Sequence, residues 1–171
     1  MKSITFVFLI TMSLLVCFFS SQSRAAEELD LVGGWRFRLD PENRGEREAW
    51  FSPDYDTDSW QQIQAGQGWE EQGFGGYDGI AWYRRWINLP GEWTNGPVYL
   101  VLGGADDEYD LFVNGIKRAH FGSLKSKKSM HNRTSWIDLF PYLGGNKNVL
   151  LCLLVTDWGG GGGLFNSPLV P

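Results

Sequence analysis

Short alternations of apolar and polar residues, rather than helical stripes, run along this chain beyond its first 25 residues. Trp35-Arg36-Phe37-Arg38-Leu39 alternates with period two, the signature of a strand with one face in a core. Residues 81–89 do the same over a longer run, with Tyr83, Arg85, Ile87 and Leu89 on one face. Val98-Tyr99-Leu100-Val101-Leu102 follows a break at Asn95-Gly96-Pro97. Tyr109, Leu111 and Val113 share a face of the next run. Asn114-Gly115 then predicts a two-residue hairpin, because a type I′ turn needs positive φ at both positions, with a return strand over 116–121. Residues 136–139 form another short run. Residues 149–156 are apolar on both faces, which predicts a central strand covered on both sides. Turn chemistry marks 40–60, where Asp40-Pro41-Glu42 can cap a helical turn, and 140–145, where another fits. Seven or eight strands, one or two short helical turns and no repeat predict a single all-β sandwich.

The first 25 residues read differently. Lys2 precedes an apolar stretch from Ile4 to Phe19, and Ser23-Arg24-Ala25 places small residues before a cut, the pattern of a secretory signal peptide. The stretch is shorter than the roughly 20 apolar residues a span needs. Val16 before Cys17 is too bulky for a lipid-attachment box. The expected product is secreted or periplasmic, with no membrane association once residues 1–25 are removed. Cys152 is then the one remaining cysteine, so no intrachain disulfide can form.

Composition sharpens this picture. Of 171 residues, 22 are Gly and nine are Trp, which suits a turn-rich β domain and disfavours a helical bundle. Removing residues 1–25 leaves thirteen Lys and Arg against twenty Asp and Glu. An acidic domain of this kind is a poor binder of phosphate backbones, so no nucleic-acid partner is expected. No G-x-S-x-G, H-E-x-x-H or phosphate loop is present, and the Gly159–Gly163 run lacks the following Lys-Ser/Thr. His120 and His131 stand apart in sequence.

Three places could carry chemistry. Asp106-Asp107-Glu108 concentrates hard oxygen ligands and could hold Ca²⁺, contact sugar hydroxyls, or pair with Arg84 or Arg85. Residues 67–79 are too Gly-rich and polar for a strand, yet carry Trp69, Glu70, Phe74 and Tyr77. Thr156-Asp157-Trp158 opens the second Gly-rich loop. An aromatic face can stack on the C–H side of a sugar ring while acids and amides bond its hydroxyls, so Trp69, Glu70, Tyr77, Asp157 and Trp158 are the candidate ligand contacts. The structural alternative is that these aromatics plug the ends of the sandwich. Trp35, Trp60, Trp86 and Trp136 lie in strand patterns and are expected to pack in the core. Trp50, Trp82 and Trp93 fit either role.

The ordered series Gly34-Trp35-Arg36-Phe37, Asp58-Ser59-Trp60, Gly68-Trp69-Glu70 and Ala81-Trp82-Tyr83-Arg84-Arg85 resembles the amino-terminal sugar-binding domain of family 2 glycoside hydrolases. Residues 103–115, Trp136-Ile137-Asp138-Leu139, Asn148-Val149-Leu150 and Val155-Thr156-Asp157-Trp158 continue it in order, so that the resemblance covers residues 29–171. It implies a galactose-binding-like jelly roll. The family's catalytic glutamates belong to a separate barrel, so the resemblance implies a sugar-binding module and no catalytic residue here. Asp157 and Trp158 match the loop that leans over the barrel's pocket in full-length relatives. Asn166 stands where the family usually has Arg.

The leading expectation is therefore an exported, non-catalytic module with carbohydrate as its partner and no organic cofactor. The alternatives are an accessory or truncated part of a family 2 glycosidase, partnered by a catalytic domain or subunit, and a structural β-sandwich without a sugar site.

Overall fold

A computed structural model describes residues 28–165 and 169–170. The expected signal segment and Asn166 lie outside the described residues. The described strands are β1 (Trp35–Leu39), β2 (Gln61–Ile63), β3 (Gln67–Gly68), β4 (Ile80–Asn88), β5 (Tyr99–Leu102), β6 (Gly104–Asp106), β7 (Glu108–Val113), β8 (Ile116–Phe121), β9 (Ser135–Asp138), β10 (Asn148–Thr156), β11 (Gly163–Phe165) and β12 (Leu169–Val170). One helical turn, α1 (Phe140–Leu143), and two 3₁₀ turns, Glu70–Gln72 and Gly91–Asn95, complete them. The all-β sandwich is as expected. The strands outnumber the sequence runs because β2, β3, β6, β11 and β12 are only two or three residues long, too short to show a period.

A six-stranded antiparallel sheet has the order β2-β1-β4-β10-β7-β8. Two three-stranded sheets, β3-β11-β6 and β12-β5-β9, make the opposing layer. Between them lies a core in which Tyr83 and Ile87 of β4, Tyr109 and Leu111 of β7, and Val149, Leu151, Leu153 and Val155 of β10 meet Leu100, Leu102, Ala105, Ile137 and Leu164. Alternation puts Leu150, Cys152 and Leu154 on the other face of β10. Cys152 and Leu154 there join Trp50, Trp60, Trp82 and Phe112 in a second cluster. β10 is thus covered on both sides, as its unbroken apolar run requires.

The second cluster is roofed by residues 40–60, which form successive turns rather than a helix. Asp40 organises their start: its carboxylate accepts the Arg44 and Gly45 amides at 2.7 and 2.8 Å and the Trp82 indole N–H at 3.0 Å. Arg84 is buried beneath this roof and donates to the carbonyls of Trp50 and Ser52. Arg85 donates to the carbonyls of Gly33 and Asp30. Neither arginine is the partner of the 106–108 acids.

The Asn114-Gly115 turn forms as expected, with φ of 50° and 81° joining β7 to β8. Trp35 and Trp60 are buried, and so are Trp50, Trp82 and Trp93. Trp86 and Trp136 correct the sequence expectation. They are 54% and 64% exposed. Trp86 shares the outer face of β4 with Trp82, but among the roof residues it has no place in the aromatic cluster. Trp136 lies between the inward-facing Ser135 and Ile137 and so points out of its sheet.

Candidate functional site

The two Gly-rich loops, far apart in sequence, meet at one end of the sandwich. β3 pairs with β11, bringing Gly68 opposite Gly163 and Gln67 opposite Leu164. Trp69 then donates its amide to the Gly162 carbonyl at 2.9 Å, and Gly162 donates its own to Glu70 Oε1 at 2.9 Å. Gly162 lies flat on the Trp69 indole: a Cβ there would sit 2.0 Å from a ring carbon. Any larger residue forces the loop off its floor.

That arrangement revises the roles of three predicted contacts. Trp69 is 0% exposed, its ring among Phe37, Tyr77 and the glycine loop, so it supports the site and cannot stack on a ligand. Its indole N–H donates to the Tyr77 carbonyl at 3.1 Å. The Tyr77 hydroxyl donates to the Ile80 carbonyl and accepts the Ile80 amide, so this polar tip closes a local turn. Phe74 packs 4.7 Å from Phe37 at the core's edge. Glu70, half-buried, is engaged through one oxygen by Gly162.

Asp157 and Trp158 are the predicted contacts that keep buried polar atoms without partners among the described residues. β10 carries the chain to Thr156, where it leaves the sheet. The Asp157 amide donates to Gly79, and Asp157 Oδ1 accepts the Gly159 amide at 2.7 Å. Asp157 Oδ2 is buried and has no hydrogen-bond partner among the described residues. The Trp158 amide donates to Asp107 Oδ2 at 3.1 Å, while its indole is partly exposed as a ring but keeps its Nε1–H buried and without a partner among the described residues.

Asp106 and Asp107 come to the same place. The peptide between them is cis. Carboxylate oxygens of Asp106, Asp107 and Asp157 all lie within 4.8 Å of one another, and all three residues are buried. Glu108 is not among them. As the first residue of β7 it turns to the other side, where it accepts the Leu124 amide at 3.0 Å and lies 3.6 Å from His120 Nε2. The acidic group therefore consists of Asp106, Asp107 and Asp157, not of three consecutive residues. Sequence reading could not find that combination, since only the fold brings the end of β10 beside β6.

Electrostatics bear the marks of crowding. Burial, then the hydrogen bond and charge of Asp107, push the Asp106 carboxyl up to about 7. Asp107 is pushed up by burial too, but hydrogen bonds from Ser129, Asp106 and the Trp158 amide outweigh that and hold it below the ordinary value. Burial raises Asp157, opposed by the Gly159 amide and reinforced by the charges of Asp78, Asp107 and Glu70. His131 Nδ1, 3.0 Å from Asp106 Oδ2, is the basic group against the cluster.

No protein-family model matches the chain. A β-glucuronidase from Paenibacillus borealis is 30% identical to it over 108 residues, which is 59% of this chain and 17% of that protein. Among solved structures, a β-glucuronidase from Ruminococcus gnavus superposes with a TM-score of 0.71 at 15% identity, covering 87% of this chain and 30% of that one. The β-glucuronidase of Bacteroides uniformis gives 0.68 at 18% identity, covering 85% and 18%. The chain thus resembles the amino-terminal domain of β-glucuronidases, within the family 2 glycoside hydrolases that its ordered motifs imply, and spans less than a third of each of these proteins.

Proposed function

We propose that the chain is an exported carbohydrate-binding module without catalytic activity of its own, and that its ligand is a neutral sugar held at the Trp158 loop. Trp158 carries this reading. It is a partly exposed indole on a loop fixed from beneath by Trp69 and flanked by carboxylates. The accessible part of an indole face fits the C–H side of a hexose. Asp78, exposed and close to Gly159, is placed to accept hydroxyl protons. The concentration of acids opposes an anionic ring, so a hexoside should bind better than the corresponding uronide.

Titration of the chain with methyl β-glycosides, followed calorimetrically, tests this. Trp158→Ala should weaken binding at least tenfold, about 1.4 kcal/mol or more, and leave the unfolding midpoint close to wild type. Equal affinity in the two proteins removes Trp158 from the site.

A second reading is that the domain serves a glycosidase as an accessory part. The chain matches a minor portion of each relative, and Trp136, exposed beside Tyr99 at a ring distance of 6.3 Å, offers an apolar face suited to a neighbouring domain.

A further inference from the structure

We propose that Asp106, Asp107 and Asp157 together bind one calcium ion at the base of the Trp158 loop. This is independent of the sugar reading. Three carboxylates supply oxygens no more than 4.8 Å apart. Oxygens this close can share one ion, and three protein carboxylates suit Ca²⁺, whereas Mg²⁺ keeps several waters and takes one or two carboxylates. Acid proximity alone would not make a site. The second observation is Asp157 Oδ2. Asp157 is 3% exposed, its Oδ1 is satisfied by the Gly159 amide, and Oδ2 has no partner among the described residues. A buried carboxylate oxygen is costly to leave unmatched, and here it belongs to a residue facing two further carboxylates.

The donors are all hard oxygens, which suits calcium better than zinc or copper. His131 touches Asp106 from the exposed side, but a single imidazole cannot offset three carboxylates. The ion would also tie loop to sheet. Asp107 holds the Trp158 amide and Asp157 holds the Gly159 amide, so two ligands already grip the loop's first residues.

Calorimetric titration of the chelator-treated chain with CaCl₂, in the absence of sugar, tests the proposal. The expected result is saturable binding near one ion per chain, with a dissociation constant at or below about 1 mM, and a rise in the thermal unfolding midpoint on adding calcium. MgCl₂ should bind at least tenfold more weakly. Asp157→Asn, which keeps an oxygen for the Gly159 amide, should weaken calcium binding at least tenfold, and Asp106→Asn should do likewise if the first variant does not fold. Glu108→Gln should bind as wild type does. No saturable binding by the wild-type chain up to about 10 mM calcium overturns the proposal. So does magnesium binding as tight as calcium binding, or loss of the ion in Glu108→Gln with retention in both aspartate variants.

Discussion

On β4, Trp82 and Trp86 point to the same face four residues apart, yet one is sealed and the other is 54% exposed. Period-two alternation reveals which face a side chain takes, but not what covers that face. The cover over Trp82 comes from the irregular 40–60 segment, whose turns carry no periodic signal and are set by one buried carboxylate, Asp40. Trp82→Ala should therefore cost about 3–5 kcal/mol, as expected for a buried aromatic. Trp86→Ala should stay within about 1 kcal/mol of wild type. Urea unfolding of both variants checks this, and equal losses would contradict the difference in burial. Asp106 offers a second test at this scale. Its carboxyl is raised from 3.8 to about 7 in the folded chain, so the native state holds the proton more tightly than the unfolded state does. The resulting stability is complete below about pH 4 and is lost as pH rises through about 7. In the presence of chelator, wild type should lose stability between pH 5 and pH 8 relative to Asp106→Asn. Parallel stability curves would show that Asp106 is not titrating there.

Among the elements, the long strands were legible and the short ones were not. β1, β4, β7 and β10 each show a clear pattern in the sequence, and the Asn114-Gly115 turn, dictated by its backbone requirement, implies β8 as the return strand. β3 and β11 are two- and three-residue ladders among glycines, visible only once paired. Their pairing decides what Trp69 does. In sequence it is one more loop aromatic near acids. In the fold it is the floor on which Gly162 rests, 92 residues from the Glu70 that binds the same glycine's amide. Gly162→Ala should therefore destabilise the chain by about 1–3 kcal/mol through overpacking. A guanidinium unfolding midpoint equal to wild type would mean that loop and indole are not in contact. The acidic site was half legible for the same reason. Asp106 and Asp107 stood out as neighbours, while Asp157 joins them only because β10 ends beside β6.

Across the whole molecule, the sandwich places its polar chemistry at one end and leaves two tryptophans, Trp86 and Trp136, on its faces. The formal charge of −5 is consistent with a partner that is not a polyanion. The sequence motifs resemble the amino-terminal sugar-binding domain of family 2 glycoside hydrolases, and the superpositions give the same fold in β-glucuronidases. Resemblance to a domain carries its architecture here, and function rests on the loop end itself. A glycan array probed with the chain tests sugar binding at the Trp158 loop. Neutral hexose-terminated glycans should be captured selectively and returned uncleaved, and capture should be lost with Trp158→Ala. Binding to no glycan by the folded chain, or capture undiminished in Trp158→Ala, would contradict it.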